Sequence, residues 1–128
     1  MKKLVKILLV ALLACACLAA CGGETGGNNE EKVSFGFVTD IGGIDDKSFN
    51  QTSWEGAKKF ADEVGLVEGT DYKYLQSDSE SDYTPNLTTF ADEEVDLIIA
   101  AGYLFADAIQ ATDNNYQDQK IIIIYVDY

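Results

Sequence analysis

The chain has 128 residues, with 22 acidic against 9 basic side chains and a net charge of −13. So acidic a surface repels phosphate backbones, which excludes nucleic acid as a partner. There is no histidine, which removes Ser–His–Asp and Cys–His catalysis and the usual zinc sites.

Residues 1–20 read as a secretory signal peptide. Lys2, Lys3 and Lys6 form a basic start, and Ala19-Ala20 a small-residue cut site. Leu4 to Leu18 is apolar but shorter than the roughly 18 to 20 residues that span a bilayer. Leu18-Ala19-Ala20-Cys21, followed by Gly22-Gly23, resembles the bacterial lipobox. That resemblance implies lipidation of Cys21, cleavage before it, and a lipid anchor holding the protein to the cell membrane on its extracytoplasmic face. The alternative is an ordinary leader with an incidental cysteine. More than one acyl chain is needed for firm anchoring. Cys15 and Cys17 leave with the leader, so neither a disulfide framework nor a cysteine metal site is expected. Residues 21–32 are rich in Gly, Asn and Glu and read as a flexible tether.

From residue 33 onward, strand and helix patterns alternate. Val33 to Asp40 is β-rich, with Phe35, Phe37 and Thr39 alternating with Gly36 and Val38. A Gly-containing loop, residues 41–48, leads into a helix over Phe49–Val64. Its core stripe is expected at Trp54, Ala57, Phe60, Ala61 and Val64, with Gly65 as the stop. Tyr72–Gln76 reads as a second strand and Pro85–Glu94 as a helix with Leu87, Phe90 and Ala91 on one side. Asp96–Gly102 and Lys120–Tyr128 are continuous apolar runs, as in strands buried on both faces. Leu104–Tyr116 between them reads as a helix.

This alternation predicts an α/β fold with a doubly wound parallel sheet. Under a 2-1-3-4 strand order, the ligand crevice lies at the carboxyl ends of the first and third strands. Asp40 and the 41–48 loop occupy the first end, Gly102-Tyr103 the other. The first helix is expected on one sheet face and the next two on the other. That leaves a surface open beneath the third and fourth strands, with Ile121–Ile124 as an open edge. The topology is therefore expected to be incomplete, part of a longer chain.

The densest motif is Thr39-Asp40-Ile41-Gly42-Gly43-Ile44-Asp45-Asp46-Lys47-Ser48-Phe49-Asn50-Gln51. With Trp54-Glu55-Gly56 and the segment from Gln76 to Ile109, it resembles the basic membrane protein family. These are lipoproteins of the type I periplasmic-binding-protein fold that serve ABC transporters, and the better-understood members bind purine nucleosides. The resemblance covers essentially all of residues 33–120, and makes residues 33–128 part of an N-terminal lobe. It implies that Asp40 hydrogen-bonds a purine ring and that Phe49 stacks on the base. Asn50, at the helix start, could add a polar contact. A second base-binding acid is expected after the fourth strand, where this chain has Tyr125; Asp127, two residues on, is the substitute. Contacts to the ribose would come from a second lobe.

The residue types suit those roles. A carboxylate is an acceptor-only group for ring N–H and amine donors. An aromatic face stacks on a base for about 1 to 3 kcal/mol.

Plainer roles compete. Asp45-Asp46-Lys47 reads as loop and helix-start chemistry complementing the dipole. Phe49 could be core, and Trp54 packs against the sheet. Calcium binding by Asp40, Asp45 and Asp46 lacks the EF-hand spacing, and Gly42-Gly43 lacks the dinucleotide-loop spacing.

The expected function is a solute-binding lipoprotein, not an enzyme. It needs no cofactor or metal, and hands a nucleoside-like solute to an ABC transporter permease through hinge closure of two lobes. Two other readings stand beside it. One is a sensing or surface-interaction lipoprotein of the same fold; the other is a Mg²⁺-dependent phosphotransfer domain.

Overall fold

The central strand, β1 (Phe35–Thr39), is buried along its whole length. The computed structural model describes residues 32–125. The leader, Cys21, most of the tether and Asp127 lie outside the described residues. β1 pairs in parallel with β2 (Tyr72–Gln76) on one side and with β3 (Leu97–Ala101) on the other, and β4 (Ile121–Ile124) extends the sheet beyond β3. The order β2-β1-β3-β4 is the common doubly wound 2-1-3-4, so the crevice rule points to the carboxyl ends of β1 and β3.

Alternation along β1 sends its residues into two separate cores. Phe35 and Phe37 meet Trp54 and Ala61 of α1 (Phe49–Val64), together with Leu66 and Tyr72. The Trp54 ring lies 5.4 Å from Phe37, 5.7 Å from Tyr72 and 5.2 Å from Tyr74, so Trp54 is core. Val38 faces the other way. With Ile98 and Ala100 it meets Tyr83, Leu87 and Phe90 of α2 (Tyr83–Asp92) and Ala108 of α3 (Ala106–Asp113). Gly36 is on that face too, and a Cβ there would come within 2.3 Å of the Phe90 ring. Its lack of a side chain lets α2 sit close to the sheet.

α1 thus covers one face and α2 and α3 the other, as the alternation predicts. On the α1 face the sheet is less covered toward its edge. Ile99, which packs against the Trp54 cluster, is half-buried, and its β4 neighbour Ile122 is 44% exposed.

Three element details differ from expectation. Phe60 and Val64 are 47% and 50% exposed; the stripe is Asn50, Trp54, Ala57 and Ala61, with Leu66 closing it beyond the helix. α2 starts at Tyr83, so Pro85 is its third residue. Proline fits there because first-turn N–H groups have no intrahelical partner. α3 is shorter than the 104–116 pattern: a 3₁₀ turn, Tyr103–Phe105, precedes it and it ends at Asp113. Gly65, at φ 72°, closes α1 as expected, its N–H turned back to Ala61 and Asp62 carbonyls.

Candidate functional site

Asp40 stands one residue past β1, half-buried. Its Oδ1 accepts two hydrogen bonds, from the Gly42 N–H at 2.9 Å and from Asn50 Nδ2 at 2.6 Å. Its Oδ2 accepts none among the described residues and lies against Gly102. A Cβ at Gly102 would stand 2.9 Å from Oδ2, and one at Gly42 would stand 2.9 Å from Asn50 Nδ2 and 3.1 Å from Oδ1. Gly102 also holds φ at 129°, a conformation glycine alone adopts freely. β3 is thereby tied to the site, and the Gly102 N–H donates to the Ile124 carbonyl at 2.9 Å, bringing in the end of β4.

Asn50 is 2% exposed, and its amide nitrogen is spent on Asp40. The structure therefore places it as a support for the carboxylate. Phe49, the first residue of α1, is half-buried and packs against the Trp54 cluster, so part of its ring is core and part is open. Tyr125 follows β4 and is 55% exposed; Tyr103 follows Gly102 and is 70% exposed. Asp40, Phe49, Asn50 and Tyr125 thus share the carboxyl end of the sheet.

Asp46 has a separate duty. Its carboxylate accepts from the backbone N–H groups of Ser48 at 2.8 Å, Asn50 at 3.0 Å and Gln51 at 3.1 Å. These are N–H groups of the α1 start, which have no partner within the helix. Burial pushes the Asp46 carboxyl up, but the N–H groups of Gln51, Ser48 and Asn50 outweigh it and hold the group below its ordinary value. The helix-start role expected of this acid stretch therefore falls to Asp46. Among the described residues no three acids, cysteines or histidines are grouped to hold a metal ion.

Sequence reasoning passed over Tyr83. It opens α2, is 2% exposed, and stacks on Phe105 with centroids 4.2 Å apart. The charges of Asp40 and Glu80 act on its hydroxyl, which the Ile41 backbone N–H faces. The only sequence signal was position: it opens the helix after β2, at the same end of the sheet.

The two depressions at the opposite end involve other residues. One lies among Val95, Asp96, Tyr116 and Lys120, the other among Ser34, Gly69, Lys73 and Glu93. They bring together none of the expected ligand residues.

Residues 33–125 match the model of the Bmp family, described as PnrA-like ABC transporter substrate-binding proteins. The chain belongs to this family. Among Bmp-like relatives, it is 40% identical over 114 residues to a CD4+ T-cell-stimulating antigen of Listeria innocua, covering 84% of this chain and 32% of that one. It is 33% identical over 127 residues to the ABC transporter nucleoside-binding protein BmpA of Lactococcus lactis, covering 96% of this chain and 36% of that one. The chain spans about a third of the length of these curated relatives. Its fold superposes on a solute-binding protein of an ABC transporter system from Aeropyrum pernix with a TM-score of 0.64 and 27% identity, over 74% of this chain and 25% of that one. The family resemblance and the parallel α/β fold expected from the sequence are both borne out.

Proposed function

We propose that this chain contributes one lobe of an extracytoplasmic, lipid-anchored receptor that binds a purine nucleoside and delivers it to an ABC transporter permease, without catalysing a reaction. The carrying observation is the state of Asp40. One carboxylate oxygen is fixed by Gly42 and Asn50 while the other accepts no hydrogen bond among the described residues, at the switch point of the sheet, and half-buried Phe49 is the chain neighbour of Asn50. A fixed, acceptor-only oxygen next to an aromatic face suits a flat heterocycle with N–H donors on its edge.

Other observations support the reading. The Lactococcus lactis relative is named as nucleoside-binding. The residues before Cys21 have lipobox form, and Cys21 is the proposed anchor. Tyr125 stands at the position where a second acid is expected, and Asp127, outside the described residues, is the proposed substitute. A site open on one side suits capture by closure of a facing lobe.

The test is isothermal titration of the full-length mature protein, both lobes included, with inosine, guanosine, adenosine and cytidine. Saturable heat with at least one purine nucleoside is expected. Absence of heat with all four would overturn the reading.

A further inference from the structure

Among the described residues, three buried side-chain polar atoms have no hydrogen-bond partner: Thr39 Oγ1, Asn50 Oδ1 and Tyr83 OH. Two of them belong to residues that act on one carboxylate, and the third to its neighbour in the chain. Thr39 precedes Asp40 in the chain, Asn50 donates to it at 2.6 Å, and the Tyr83 hydroxyl feels its charge and faces the Ile41 backbone N–H. An unpartnered buried polar group costs about 1 to 3 kcal/mol, and such groups concentrate where they have a use.

Of the three residues, Tyr83 has the most freedom to serve a ligand. Thr39 belongs to β1, and Asn50 already holds Asp40. The Tyr83 ring is fixed against Phe105 at 4.2 Å. Burial, then the charges of Asp40 and Glu80, push its hydroxyl above the ordinary tyrosine value of 10.0, so it remains a donor at neutral pH. Ile41 and Tyr103, whose groups act on this hydroxyl, are 57% and 70% exposed.

We propose that Tyr83 is a specificity-determining residue of the Asp40 site, its hydroxyl donating to the bound solute beside the point where Asp40 accepts, an assignment that rests on the receptor reading above. Asp40 Oδ2 can only accept, and a Tyr83 O–H with no other partner can donate. Side by side they read a ring edge with an N–H next to a carbonyl, as on a 6-oxopurine. A purine lacking the 6-oxo group offers no carbonyl to Tyr83.

The test is Tyr83→Phe in the full chain, which keeps the ring, the stack and the volume. Titrations with inosine and with purine riboside, which has no 6-oxo group, are run beside thermal melts. Loss of an unpaired buried hydroxyl leaves Tm unchanged or higher. Inosine affinity is expected to fall about 3- to 10-fold, with purine riboside unchanged. Equal inosine affinity in the two proteins overturns the assignment of Tyr83 and leaves the receptor reading standing. So does a loss shared equally by both ligands, or one that tracks a lowered Tm. A wild-type chain that binds no nucleoside overturns the receptor reading and this assignment with it.

Discussion

Asn50 Nδ2 donates to Asp40 Oδ1 across 2.6 Å, joining the first turn of α1 to the end of β1. Together with the Gly42 N–H at 2.9 Å it orients the carboxylate, and two glycines leave it room. The other features of the site follow from how the chain keeps this pair in place.

Gly102 is expected to matter for binding without contributing a side chain. In Gly102→Ala, the new Cβ would meet Asp40 Oδ2 at 2.9 Å, on a backbone at φ 129° that disfavours any side chain. The variant should lose about tenfold in nucleoside affinity, the scale of one charge-assisted hydrogen bond. Titration checks it. An unchanged affinity would mean that Asp40 does not depend on this close approach.

Asp46 should set part of the acid sensitivity. Its folded carboxyl is held below the ordinary value of 3.8 by the N–H groups at the α1 start. Asp96 is lowered too, chiefly by the Ser34 N–H at 2.7 Å and the Ser34 hydroxyl at 2.9 Å. A depressed folded pKa contributes stability that is complete above the unfolded value and is lost as pH falls through the folded one. Tm should therefore decline below about pH 4. Asp46→Ala should cost about 1 to 2 kcal/mol at neutral pH, as loss of a helix cap does, and flatten that decline. Melts across the acid range, for both proteins, read the two effects together.

Gly36→Ala tests the packing of the α2 face. The added methyl would overlap the Phe90 ring at 2.3 Å, and overpacking of this kind costs about 1 to 3 kcal/mol. Urea denaturation measures it. The site is at the far end of the strand, so affinity in the folded protein should hold.

Much of this molecule was legible in the residues. The Phe49–Val64 helix, its stop at Gly65 and the Tyr72–Gln76 strand all emerged as read, because apolar period and turn residues agree there; strand order depends on pairing between strands, which the pattern alone does not give. The helix stripe was less legible. Phe60 and Val64 sit at the margin of the stripe that holds Trp54 and Ala61, and spacing alone does not say how wide a buried stripe is.

The site was half visible. Asp40 could be found because it ends a strand inside a dense motif. The helix-start duty of the Asp45-Asp46-Lys47 stretch was legible too, but not that Asp46 carries it, nor that Asn50 supports Asp40, since both depend on where the 41–48 loop brings α1 back against β1. Tyr83 was invisible for a similar reason: it lies more than forty residues from Asp40 and only the parallel crossover puts them together.

The central claim is that the free oxygen of Asp40 grips the solute. Asp40→Asn keeps the shape of the side chain and an acceptor for Asn50, while removing the charge and offering N–H groups where the solute brings donors. In titrations of the full chain with inosine, the variant should bind about 10- to 100-fold more weakly with little change in Tm. Inosine affinity equal to that of the wild type would contradict the claim.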